Sequence, residues 1–148
     1  MSAAIRVACC ITVLLAACAS QNEKPAEVQD RGIPPIWDVS FVGTGNEDLG
    51  SLRIALTTEP IDEDYCGASY LRKAIVLEDN LDVDLGMDKQ PAYSISMFWL
   101  WLDLTASSCN TSFLLLGNID PDESVGFFNY AHPLGGESIG RFKAVPAK

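Results

Sequence analysis

The sequence predicts an all-β fold, a small antiparallel meander barrel or sandwich of about eight short strands. Three observations predict it. Between Trp37 and Val145 apolar residues recur mostly at every second position, turn residues interrupt the alternation at short intervals, and a competing helix propensity is confined to residues 70–74. Short connections make neighbouring strands antiparallel. Closing the sheet removes its exposed edges, which favours the barrel over the sandwich.

The elements follow in chain order. Trp37, Val39 and Phe41 alternate with Asp38 and Ser40 until Gly43-Thr44-Gly45-Asn46 ends the run. Leu52, Ile54 and Leu56 alternate with Ser51, Arg53, Ala55 and Thr57, a second half-buried strand. Arg72 to Glu78 is ambiguous: Lys73, Ile75 and Leu77 share a strand face, yet Tyr70-Leu71-Arg72-Lys73-Ala74 also suits a helix. Leu81, Val83 and Leu85 alternate with Asp82 and Asp84 as a separate strand.

Ser94 to Thr105 is the most apolar segment outside the N-terminus and reads as one central strand. Ile95, Met97, Trp99 and Trp101 then share one face, and Phe98, Leu100, Leu102 and Leu104 the other. The segment is too short to cross a bilayer as a helix. Its plain reading is a strand covered on both faces; a sharper one has the Trp99/Trp101 face line a ligand cavity or meet a partner. Ser112 to Leu116 is a strand, residues 117–123 a turn, and Ser124 to Ala131 and Ser138 to Val145 two further strands joined by residues 132–137. Gly126 and Gly140 lie within those last strands, where a missing side chain permits a bend or close packing.

The N-terminus has a different character. One positive charge, Arg6, precedes an apolar run from Val7 to Leu15 and two small residues, the parts of a secretory signal. Leu15-Ala16-Ala17-Cys18 resembles the lipobox of bacterial lipoprotein precursors. That resemblance implies a signal peptide over residues 1–17, a diacylglycerol thioether on Cys18, cleavage before it, and N-acylation (palmitate or a similar chain) of the new terminus. Two or more acyl chains make a stable membrane anchor without any spanning segment. Ala19, rather than Asp, follows the cysteine, which by the same resemblance implies an outer-membrane lipoprotein facing the periplasm. Residues 18–35 then form the lipidated Cys and a flexible tether that Pro34-Pro35 stiffens at its end, and residues 36–146 form a single β domain.

Composition narrows the partners. Of 10 basic and 20 acidic residues only Arg6 departs with the signal, so the formal charge moves from −10 to −11. Such an excess opposes nucleic-acid binding and any electrostatic grip on anionic lipid. Cys66 and Cys109 lie beyond the tether, and export to an oxidising compartment predicts a disulfide between them. The alternative, two free thiols, lacks any CxxC or Cys/His grouping that would suggest redox catalysis or zinc.

Catalytic signals are weak. His132 is the sole histidine and no G-x-S-x-G occurs. Asn118-Ile119-Asp120-Pro121-Asp122 begins like a calcium loop but meets Glu123 where glycine is required and Asn129 where the bidentate Glu should be. No metal, cofactor or catalytic residue is therefore expected, and the chain reads as a non-enzyme. In architecture alone the meander is similar to the calycin-type barrels, including lipocalin-like domains and some exported inhibitors of proteases or lysozyme. Two functions follow as expectations. The first is a binding or inhibitory module towards another envelope protein. The alternative is a carrier of a small apolar ligand in a barrel cavity, with Trp37, Phe98, Leu100, Phe127 and Phe142 as its wall.

Overall fold

A computed structural model describes residues 32–61, 71–82, 84, 91–105 and 110–148. Eight strands run in chain order: β1 Ile36–Gly43, β2 Asp48–Pro60, β3 Arg72–Leu81, β4 Ala92–Ser96, β5 Trp99–Asp103, β6 Ser112–Ile119, β7 Ser124–His132 and β8 Gly135–Pro146. Each pairs antiparallel with its sequence neighbours, and β8 returns to β1 to close the barrel. The closing ladder extends from Trp37↔Pro146 to Gly43↔Gly140. Among the described residues there is no helix. Cys18, Cys66 and Cys109, with the signal and most of the tether, lie outside the described residues.

The alternation read from the sequence decides which side chains fill the interior. Trp37, Val39 and Phe41 of β1, Leu52 and Ile54 of β2, Leu100 and Leu102 of β5, Leu115 and Ile119 of β6, Phe128 of β7, and Phe142 and Ala144 of β8 are buried together. Each fully buried large side chain contributes roughly 1.5–3 kcal/mol to folding. Phe41 and Phe128 meet edge to face with ring centroids 5.0 Å apart. The aromatic contacts continue through Phe113, 6.0 Å from Phe128, and Tyr130, 5.1 Å from Phe113, to His132, 5.6 Å from Tyr130. At the opposite end the Trp37 indole Nε1–H donates to the Pro34 carbonyl at 2.7 Å, so its one polar group is satisfied as the ring is buried.

Tight curvature needs positions without side chains. Gly117 and Gly126 face each other across β6 and β7. A Cβ on Gly126 would lie 2.1 Å from the Leu116 carbonyl oxygen, and one on Gly117 2.2 Å from that of Val125. The large inward rings take up the room that glycine leaves. Phe142 faces Gly126 across β7 and β8, Phe128 faces Gly140, and Phe41 faces Gly50.

The structure redraws three segments. Residues 94–105 are not one strand: Met97 and Phe98 form a two-residue turn between β4 and β5, with Ser96 opposite Trp99. A positive φ of 56° at Met97 and at no other residue of that turn is the sign pattern of a type II′ hairpin, a position that normally holds glycine. Residues 72–81 form a single strand, so Leu81 ends β3 rather than opening another strand; residues 83 and 85 lie outside the described residues. Finally, β6 continues to Ile119, and the expected long turn shrinks to Asp120–Glu123. There the Asp120 carboxylate accepts the Asp122 and Glu123 amides at 3.0 and 2.9 Å, a side-chain-capped turn.

Candidate functional site

The outer wall divides into two sectors of different chemistry. Over β1, β2 and β3 it is ionic. Arg53 lies between two carboxylates, with Nε and Nη2 donating to Asp38 at 2.7 and 3.2 Å and Nη1 to Glu78 at 3.0 Å. The paired guanidinium holds the Asp38 carboxyl below its usual value through hydrogen bonding, against a smaller opposing effect of burial, and Asp38 in turn raises Arg53. These groups border a shallow cleft of about 370 Å³ with Ser40, Ser51 and Asn80. The cluster staples three adjacent strands through one guanidinium shared by two carboxylates.

Over β5, β6 and β7 the wall is apolar. The hairpin turn gives three consecutive large side chains to solvent: Met97 is 78 % exposed, Phe98 66 % and Trp99 48 %. They are outward for a geometric reason. A two-residue turn pairs Ser96 with Trp99, so both point to the same face, and Leu100 and Leu102 take the interior. From Trp99 one row runs round the outside through Asn118 and Val125 to Lys143. The next row runs from Trp101 through Leu116 and Phe127 to Arg141. Trp101 is half-buried against Leu71 and Ala92, whereas Phe127 is 56 % exposed.

A second cleft, of about 500 Å³, ends this surface where Val125 and Phe127 meet Val42, Arg141 and Lys143. Its cations have partners: Arg141 donates to the Asn46 side chain at 3.1 Å, and Lys143 pairs with Glu123. The sector also has a one-sided charge. Residues 90–140 contain no Lys or Arg, but they hold Asp103, Asp120, Asp122, Glu123 and Glu137. Asp120 and Asp122 are exposed on the turn that follows β6. The Ile119 amide donates to the Phe98 carbonyl at 2.9 Å, which sets that acidic turn beside the apolar one.

The five side chains expected to line a ligand cavity do not share a wall. Trp37, Leu100 and Phe142 point inward and are buried in the core, while Phe98 and Phe127 are exposed on the outside. Phe98 departs because the hairpin turn falls on it. Phe127 departs because β7 turns its even-numbered neighbours, Gly126 and Phe128, to the interior. The alternation puts Met97 on the face of Trp99 that it offers as a contact, but it gives no sign that Phe98 and Val125 face outward as well. The missing signal was a turn residue at position 97.

Candidate chemistry elsewhere is sparse. His132 is exposed, stacks on Tyr130, and accepts the Leu134 amide at Nδ1, 3.3 Å away. Among the described residues no three His, Cys, Asp or Glu side chains are grouped to hold a metal ion. Burial pushes the Tyr93 hydroxyl above its usual value, a shift that Arg72 partly offsets, and that hydroxyl donates to the Thr57 carbonyl. Among the described residues no helix is long and apolar enough to cross a membrane.

The class that fold and surface define is a closed eight-stranded antiparallel barrel with an apolar core, one ionic outer sector and one apolar, cation-free outer sector. No family model matches the chain, and no curated protein or solved structure is significantly similar to it.

Proposed function

We propose that this chain is a lipid-anchored envelope protein that acts by binding, as an adaptor or inhibitor of another envelope protein, and that its apolar outer sector is the contact surface. The observation that carries the reading is the exposure of Met97, Phe98 and Trp99 in succession on one hairpin turn. A contiguous apolar patch on a folded domain marks a contact site far more often than scattered apolar residues do. Aromatic side chains supply the largest contact energy per residue at such sites. The carrier alternative draws no comparable support, because the inward members of its expected wall are buried in the core cluster and its other two members face outward.

Anchoring suits this reading. Ile36, where the tether enters the barrel, lies at the same end as the Met97-Phe98 turn, since β1 begins where β4 ends and β6 hands over to β7. The 17 residues from Ala19 to Pro35 reach up to roughly 55–60 Å when extended. That length lets the apolar end turn from a lipidated Cys18 towards a neighbour in the periplasm.

Two measurements test the proposal. Cys18→Ala is expected to move the protein from the membrane fraction to the soluble one, and unchanged partitioning would remove the lipoprotein assignment. Native mass spectrometry of the chain from Ala19 onward, exported without lipid, is expected to give a mass with no small molecule attached. A co-purifying apolar ligand would instead establish the carrier function.

A further inference from the structure

Resting on that binding role, we infer that the end of the barrel formed by the β4–β5 and β6–β7 turns is a two-part docking site for a cationic protein, an apolar wedge of Met97, Phe98 and Trp99 entering an apolar recess while Asp120 and Asp122 meet basic groups on its rim.

Two independent features select this occupant. The first is shape and polarity. A two-residue hairpin is a narrow projection, and its tip here exposes an aromatic ring and a thioether side by side. A flat apolar partner would leave the sides of such a tip wet, whereas a recess dries them. The second is charge. The Ile119 amide to Phe98 carbonyl bond ties the apolar tip to the turn that carries Asp120 and Asp122. With no Lys or Arg between residues 90 and 140, no cation of this sector offsets them. Lys143 reaches the turn from β8 and is taken by Glu123, which leaves the two aspartates facing outward.

A chain of formal charge −10 attracts a basic partner from a distance, and the acidic turn fixes the approach on the apolar end. The same charges argue against a bilayer as the occupant. Anionic headgroups repel this end, and the sector lacks the Lys or Arg that interfacial tips use to hold phosphate.

The test uses the full-length chain in the cells that make it. A photoreactive p-benzoylphenylalanine replaces Phe98, and in a control chain it replaces Ser51 on the ionic wall. The proteins captured at position 98 are identified and purified, and their affinity for the chain is measured in low and high salt. Wild type is compared with Phe98→Ser, Asp122→Asn and Asp122→Lys, each checked for native folding by circular dichroism.

The inference predicts a basic protein captured at position 98 and not at 51. Binding should weaken at least tenfold between about 50 and 500 mM salt, as exposed charge pairs are screened. Phe98→Ser should cost roughly thirtyfold, as loss of a central aromatic anchor does. Asp122→Lys should cost about tenfold and Asp122→Asn less. Should Phe98→Ser fail to fold, the Asp122 pair and the salt series carry the test.

Other outcomes separate the two claims. A partner whose affinity ignores salt and Asp122→Lys would overturn the cationic occupant and leave the binding role standing. Capture at 98 no greater than at 51 would remove the binding role itself. Capture of lipid alone, with flotation of the Cys18→Ala chain on phosphatidylethanolamine–phosphatidylglycerol vesicles that Phe98→Ser abolishes, would make the tip a membrane contact and overturn the inference.

Discussion

Gly126 is a position where this fold has no room for a side chain. Its partner across β7 and β6 is Gly117, and the two backbones approach so closely that a Cβ on either would meet a carbonyl oxygen near 2 Å. Backbone rather than a mobile side chain would have to yield, so Gly126→Ala is expected to destabilise the barrel by about 3 kcal/mol, the upper range for overpacking, measured by denaturant unfolding. At Asp38 the effect is one of charge. Because Arg53 lowers its folded-state pKa, the stability that it adds is fully present above the ordinary carboxylate range near pH 3.9. That contribution is lost as pH falls through the lowered value. In Arg53→Gln the Asp38 carboxyl should titrate closer to its ordinary value, and the share of stability that wild type loses as pH falls through the lowered value should shrink. NMR titration of the Asp38 carboxyl carbon checks the first point; an unmoved titration would mean that the ion pair is not formed in solution.

Elements were legible where one face is buried and a turn residue stops the run. β1 alternates from Trp37 to Phe41 and ends at Gly43-Thr44-Gly45-Asn46, and the structure turns there. β4 and β5 defeat the same logic. Ser94 to Thr105 alternates without a glycine, proline or asparagine, and a two-residue hairpin leaves no composition signal when methionine takes the left-handed position. The turn also inverts parity, so Trp99 falls on the same face as Ser96 instead of the opposite one. The candidate surface was therefore half visible: its aromatic residues stood out, but which of them face water depended on a turn that the residues do not announce. Met97 pays for its φ of 56° with roughly 1 kcal/mol of strain that glycine avoids. Met97→Gly is thus expected to raise stability by about 1 kcal/mol while trimming the apolar wedge. If thermal unfolding shows Met97→Gly no more stable than wild type, the turn does not hold that conformation in solution.

Closure is a property of the whole chain, and the alternation that identifies strands is silent about it. A sandwich and a barrel bury the same faces; what separates them here is the β1–β8 ladder, which joins the two ends of the domain and passes Gly43 against Gly140. Closure is also uneven. Among the described residues β3 and β4 share only the register pairs Arg72↔Tyr93 and Lys73↔Ala92, whereas β7 and β8 are paired from Ser124↔Ala144 to His132↔Gly135. One side-chain bond reinforces the short seam: the Tyr93 hydroxyl of β4 reaches past β3 to the Thr57 carbonyl of β2, whose own hydroxyl donates to the Lys73 carbonyl of β3 at 2.9 Å. Because a short ladder opens at lower free energy than a long one, the barrel should breathe at this seam first. Native-state hydrogen exchange is expected to show the Ala74 amide, bonded to the Pro91 carbonyl at 2.7 Å, exchanging by local opening. The β7–β8 amides should exchange only with global unfolding. Tyr93→Phe removes that reinforcing bond, so it should lower the opening free energy at Ala74 by about 1 kcal/mol. Equal protection of Ala74 and the β7–β8 amides, in wild type and Tyr93→Phe alike, would mean that the seam is as firm as the rest of the wall.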